Sequence, residues 1–144
     1  MRMPKQVHLL SNYPNFYLDK DGFYIEATNF MMIGYDIDII YLFLTSDLGF
    51  FIFSKFYSGP QFDSTGFRYK KAYLDETYIP IPSAQQAIEL RNLLNQLNFQ
   101  STIDEVIFKI WSEIIGLNQD EREYISNYKH NLLHQAFNEF NLIG

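Results

Sequence analysis

The sequence predicts an α+β fold, with a small mixed sheet and a long buried helix followed by a helical C-terminal part. Three observations lead to this prediction. Two aromatic stretches flank a turn signal near residue 20, apolar residues recur every three or four positions across residues 37–56, and only helical patterns follow Ser83. Hydrophobic residues make up 47% of the 144 residues and charged residues 19%, so we expect a packed core rather than disorder.

The predicted sheet begins with a β-hairpin. Phe16–Leu18 and Phe23–Ile25 are aromatic-rich, and Asp19–Gly22 between them is typical of a turn. The second strand is expected to run to about Ile33, with Gly34 ending it.

One long helix is predicted over residues 37–56. Asp36 or Asp38 is placed to cap its start, and the helix should end before Pro60, since proline disfavours helix at the residue before it. Gly49 lies inside the predicted helix and should weaken it slightly. Four apolar side chains of this helix are expected to be buried: Leu44, Leu48, Phe51 and Ile52.

A loop over residues 58–66 should lead into a strand from Phe67 to Tyr73, which completes the small sheet. Two prolines then require an extended segment over Tyr78–Pro82.

The rest of the chain is predicted to be helical. Ser83 with Gln86 forms a capping-box pattern, Thr102 is placed to cap a second helix that Gly116 ends, and a last helix runs from about Gln119 to Phe140. Residues 1–82 and 83–144 therefore form two regions, which we expect to pack together as one domain.

Composition excludes several classes of protein. The chain has no cysteine, which excludes disulfides, zinc ribbons and thiol catalysis. The longest apolar region, Ile37–Phe56, contains charged residues that a membrane span would not tolerate. We therefore expect a soluble protein, with the cytoplasm as its compartment.

No catalytic or metal site is predicted. His130 and His134 have the spacing of a metal-binding pair on a helix, but Asn131 stands where the zinc-protease pattern needs glutamate, so two solvated surface histidines are the favoured interpretation. The carboxylates are scattered, and no phosphate-binding glycine loop or nucleophile elbow is present.

Positive charge is concentrated in one short segment. Residues 1–54 carry net charge −3 and residues 72–144 carry −6, whereas residues 55–71 carry +3. Lysine and arginine neutralise phosphates, and arginine also reads guanine. An ordinary basic strand beside an acidic surface would explain the composition equally well. The candidate DNA-binding residues are Lys55, Tyr57, Ser58, Gln61, Ser64, Arg68, Tyr69, Lys70 and Lys71.

The stretch from Gly22 to Ser83 resembles the C-terminal specificity domain of TaqI-like adenine-specific DNA methyltransferases and of type IIG restriction-modification enzymes. The likeness rests on five pieces that occur in the family's order: Phe23–Gly34, Ile40–Leu48, Phe53–Gly59, Gly66–Tyr69 and Ile79–Pro82. Ile40–Leu48 resembles the leucine-rich helix of that family, with Thr45 at the usual asparagine. A looser similarity to the family's C-terminal ending continues through Ile103–Val106, Ile115–Asn118 and Glu121–Ile125.

The resemblance implies a DNA sequence-recognition module, with residues 1–82 as a partial target-recognition region. The family's Asn-Pro-Pro-Tyr/Phe motif is absent, so the chain is expected to be a non-catalytic C-terminal fragment or short gene product. Expected partners are double-stranded DNA and the catalytic methyltransferase or nuclease region. The chain itself is expected to hold no cofactor; the parent enzyme would use S-adenosylmethionine, with magnesium as a second candidate. The alternative is a helical subunit-docking domain without DNA contact.

Overall fold

The computed structural model describes residues 16–22, 31–57, 75–96 and 100–128, together with the single positions 72 and 131. These residues form helices joined by turns and irregular segments. In chain order the helices are α1 (Ile37–Thr45), α2 (Asp47–Ile52), a π-helical turn (Phe53–Tyr57), α3 (Ala84–Leu94), α4 (Gln100–Ile115) and α5 (residues 119–128).

The predicted α+β fold with a small mixed sheet is wrong. Of the described residues 67% are helical and none lies in a strand, so the described part of the chain has an all-helical architecture. The turn at Asp19 is present, because its Oδ1 accepts hydrogen bonds from the backbone N–H groups of Asp21 (2.8 Å) and Gly22 (2.9 Å). This side chain closes the turn by itself, so the turn needs no flanking ladder. Most of the second predicted strand, and most of Phe67–Tyr73, lies outside the described residues.

The predicted long helix is in fact two helices that meet at an angle of 71°. Ser46 breaks the helical path with extended backbone angles (φ −73°, ψ 160°). Its hydroxyl donates to the Phe43 carbonyl oxygen (2.6 Å) and accepts from the Gly49 N–H (3.1 Å), so one side chain ends α1 and caps α2. The apolar spacing continues through this break, which is why periodicity alone predicted a single helix.

Gly49 allows the tight approach of the two helices, because a Cβ at this position would overlap the carbonyl group of Phe43. After α2 the chain continues as the π-helical turn, in which Phe53 and Ser54 are buried. Leu44 and Leu48 are buried as predicted, whereas Phe51 and Ile52 are only half-buried.

Within the described residues, no single helix has both the length and the apolar composition to cross a membrane; α1 taken together with Asp47–Phe56 meets those criteria only across the bend.

The later helices carry clear start and stop signals. Ser83 and Gln86 form the predicted capping box at the start of α3, with bonds of 2.9 and 3.3 Å. Gly116 ends α4 as predicted, since its positive φ of 76° suits glycine. Thr102 is not a cap, because α4 already begins at Gln100. Asn118, which was not predicted as a cap, exchanges two bonds of 2.9 Å with Glu121 at the start of α5.

A single cluster of buried side chains joins the helices. Phe43 of α1 and Trp111 of α4 are fully buried, and their rings meet edge to face with centroids 5.1 Å apart. Leu48 of α2, Leu90 of α3 and Ile125 of α5 belong to the same cluster. Residues on both sides of the predicted boundary at position 82 therefore contribute to one core.

Candidate nucleic-acid interface

Lys55 is the first residue of the basic segment and lies in the π-helical turn. Phe53 and Ser54, just before it, are buried and fix the turn to the core, whereas Lys55 and Phe56 are exposed. The turn is thus fixed to the core through Phe53 and Ser54, and it places Lys55 at the surface. An exposed cation on a fixed backbone suits contact with an anionic partner.

The ammonium group of Lys55 lies over the ring of Tyr128 in α5, with Nζ 4.8 Å from the ring centroid. This distance is typical of a cation–π interaction, which contributes about 0.5–1 kcal/mol at an exposed site. No carboxylate among the described residues forms an ion pair with Lys55. Its positive charge is therefore positioned by an aromatic face that does not neutralise it.

Tyr128 is itself held on several sides. The ring of Phe51 meets it edge to face with centroids 5.2 Å apart, and the Phe50 ring lies 6.3 Å away. The hydroxyl groups of Tyr128 and Ser54 are 3.2 Å apart, within hydrogen-bond distance. Tyr124, one turn earlier in α5, also packs edge to face on Phe51, at 6.0 Å. These contacts join α2 and the π-helical turn to α5, and no local sequence pattern predicted them.

Lys55 is the one predicted DNA-binding residue whose side chain the structure describes. The backbone of Tyr57 belongs to the π-helical turn, and its side chain lies outside the described part of the chain. Seven more residues lie outside the described ranges, so whether they share a surface with Lys55 stays a prediction: Ser58, Gln61, Ser64, Arg68, Tyr69, Lys70 and Lys71. His130 and His134 lie outside as well.

Two acidic residues predicted as helix caps have a different role. Asp36 occupies the N-cap position of α1 without a side-chain capping bond. It and Asp38 instead bind Arg91 of α3: Nε of Arg91 donates to Oδ2 of Asp38 and a terminal nitrogen to Oδ1 of Asp36, both at 2.7 Å. The hydrogen bonds from Arg91 lower the pKa of Asp38 below its usual value. This cation is thus matched by two carboxylates.

A second set of acidic residues, Asp47 and Asp104, lies where α1, α2 and α4 meet. Burial raises the pKa of Asp47 to about 6, and the negative charge of Asp104 adds to this shift. Partial burial also raises the pKa of Asp104, while burial and then Asp104 raise the pKa of Tyr41. Among the described residues, no three His, Cys, Asp or Glu side chains are grouped so that they could hold a metal ion.

No protein-family model matches the chain, and searches of curated proteins and of solved structures find no match either.

Proposed function

We propose that this chain is a DNA sequence-recognition module of a type II restriction-modification enzyme or adenine-specific DNA methyltransferase, without catalytic residues of its own. It acts in the cytoplasm beside a catalytic methyltransferase or nuclease region, which supplies the S-adenosylmethionine site and any magnesium site. The observation that carries the proposal is the net charge of +3 over residues 55–71 in a chain of net charge −6. The family resemblance of the same segment adds to it.

The residues of the segment divide by chemistry. Lys55, Lys70 and Lys71 are proposed to contact phosphates, because a lysine head is a flexible point charge. Arg68, together with Gln61, is proposed to contact bases, because the guanidinium fork matches the two acceptors of guanine. The exposure of Lys55 and the position of its ammonium group over an aromatic ring support this assignment. The remaining polar side chains of the segment would add hydrogen bonds: Tyr57, Ser58, Ser64 and Tyr69.

The decisive experiment measures binding of the chain to duplex DNA at several salt concentrations. Replacing Arg68, Lys70 and Lys71 by glutamine should weaken binding and reduce the slope of log K against log salt by about one unit for each phosphate that is no longer neutralised. The matched control replaces Lys5, Lys20 and Lys109, which removes the same charge outside the segment. Equal losses in both variants would mean that only net charge matters, and no loss in either would contradict DNA recognition.

Base reading and catalysis are tested separately. On the site selected from a random duplex library, Arg68→Gln should cost about 1–3 kcal/mol and relax one base position, whereas Lys70→Gln should weaken all sequences alike. Methyl transfer from S-adenosylmethionine by the pure chain would contradict the non-catalytic assignment.

A protein-docking module is the second candidate, favoured by exposed apolar side chains in two loops. Ile33 and Tyr35 lie in the segment before α1, and Tyr78 and Ile81 in the segment before α3. A contiguous patch of such side chains would be typical of a protein contact site.

The two candidates differ in which side chains binding requires. A docking module should keep its affinity for the catalytic region when Arg68, Lys70 and Lys71 are replaced by glutamine. Serine at Ile33 and Ile81 should abolish that affinity and leave the affinity for DNA unchanged. A DNA-recognition module should instead lose affinity for duplex DNA in the triple glutamine variant and keep that affinity in the serine variant.

A further inference from the structure

We infer that Tyr128 of α5 is a positioning residue for DNA binding: its ring holds the ammonium group of Lys55 in place for contact with a phosphate. This inference rests on the proposed function and extends it to a helix outside the basic segment. It names the phosphodiester backbone as the group that Lys55 contacts, and it predicts a dependence on a residue 73 positions further along the chain.

Tyr128 and Lys55 differ in how firmly the fold holds each side chain. Tyr128 is half-buried and is fixed by Phe50, Phe51 and the hydroxyl of Ser54, so its ring is a rigid surface. Lys55 is exposed, and a free lysine side chain samples many rotamers that binding would have to restrict. The ring contact at 4.8 Å restricts them before binding. Preorganisation of this kind raises affinity by lowering the entropic cost of association.

The contact with the Tyr128 ring does not cancel the positive charge of Lys55. The face of a tyrosine ring attracts an ammonium group but carries no net charge, so Lys55 remains able to neutralise a phosphate. A carboxylate in the same place would fix the side chain equally well and cancel the charge. Arg91 shows this second arrangement, since Asp36 and Asp38 bind it. Lys55 is thus held differently from the cation that links α1 to α3.

Three single variants test the inference on a short random-sequence duplex, since a phosphate contact needs no particular base sequence. Tyr128→Leu removes the ring face and should weaken binding about two- to fivefold, while the salt slope stays unchanged because the charge remains. Tyr128→Phe keeps the ring face and should bind as the unchanged chain does. Lys55→Gln should weaken binding and reduce the salt slope by about one unit.

The double variant is decisive. If the ring acts through Lys55, Tyr128→Leu should have no further effect on binding once Lys55 is glutamine. Tyr124→Leu is the matched structural control, because Tyr124 packs on the same Phe51 from the same helix. It should leave DNA affinity unchanged, with the melting midpoints of all variants measured in parallel.

The outcomes separate the inference from the proposed function. A Tyr128→Leu loss that persists in the Lys55→Gln background, or that Tyr124→Leu reproduces, would show a merely structural role and overturn the inference. The inference would also be overturned if Tyr128→Leu bound DNA as tightly as the unchanged chain while the triple variant at Arg68, Lys70 and Lys71 lost affinity. In that case the proposed function would stand without the inference. If the unchanged chain fails to bind DNA at low salt, both are overturned.

Discussion

Charged side chains near the helix starts respond to pH in opposite directions. Hydrogen bonds from Arg91 lower the pKa of Asp38, so this ion pair stabilises the fold above the ordinary aspartate pKa of 3.8 and weakens as pH falls below it. Asp47 behaves in the reverse way, because burial and the charge of Asp104 raise its pKa to about 6. Ionised Asp47 therefore destabilises the fold at neutral pH, although it occupies the first turn of α2, where the helix dipole favours an acid.

Replacing Asp47 by asparagine should stabilise the protein at pH 7. The folded state binds the proton of Asp47 more tightly than the unfolded state, so stability should fall as pH rises from about 4 to 6 and stay low above that. Raising the pKa of Asp47 to about 6 corresponds to at most about 3 kcal/mol, and solvent access to this half-buried carboxyl reduces the expected gain to about 1–2 kcal/mol.

Chemical denaturation at several pH values checks this prediction. Asp47→Asn should have a higher free energy of unfolding than wild type at pH 7 but not at pH 4. Asp104→Asn should show part of the same increase. Glu105→Gln, which removes an exposed carboxylate from the same helix as Asp104, should change stability little. A wild-type stability that does not fall between pH 4 and pH 6 would contradict the prediction.

The break between α1 and α2 depends on two residues, Ser46 and Gly49. In an ordinary helix, alanine at a glycine position is stabilising by up to about 1 kcal/mol. Here the added Cβ would overlap the carbonyl group of Phe43, so Gly49→Ala should destabilise the fold by about 1–3 kcal/mol. Gly34→Ala is the control, because nothing lies within 4 Å of its Cβ position and its effect should be small. If urea denaturation shows Gly49→Ala to be as stable as wild type, the close approach of the two helices is wrong.

Signals that lie within a few residues predicted the helix boundaries well. The capping box joins Ser83 and Gln86, three positions apart, and the stop depends on Gly116 alone, so the sequence revealed both. The aromatic stretches beside Asp19 misled, because Phe16–Leu18 is not a strand and the Asp19 carboxylate closes the turn through its own hydrogen bonds. The break at Ser46 was missed because apolar residues keep a helical spacing through it.

Contacts between distant positions could not be predicted from local patterns. Arg91 and Asp36 lie 55 positions apart, and a surface carboxylate carries no sign of its partner. The same holds for Lys55 and Tyr128. For the candidate site, charge clustering selected a segment and chemistry assigned roles to its residues, but the aromatic support for Lys55 comes from a helix that sequence reasoning assigned to no site.

At the scale of the whole molecule, one core joins helices from both predicted regions. Leu48 lies before residue 82 and Leu90 after it, and both belong to the cluster around Phe43 and Trp111. The cluster thus contains buried side chains from helices on both sides of residue 82. The described helices are therefore expected to unfold together, which would make any change in the core visible to the whole chain.

Two truncations in the core, one on each side of residue 82, should act on the same unfolding transition. Leu48→Ala and Leu90→Ala remove side chains that are 1% and 0% exposed, so each should cost about 2–5 kcal/mol through reduced burial and a residual cavity. Ile88→Ala, on an exposed position of α3, should cost far less.

Trp111 is the single tryptophan and is fully buried, and its Nε1 has no hydrogen-bond partner in the described part of the chain, so its fluorescence reports the core directly. Fluorescence and far-UV circular dichroism should give one midpoint in each variant. Separate midpoints for the two probes, or a loss below about 1 kcal/mol in Leu90→Ala, would show that α3 is not part of a shared cooperative core.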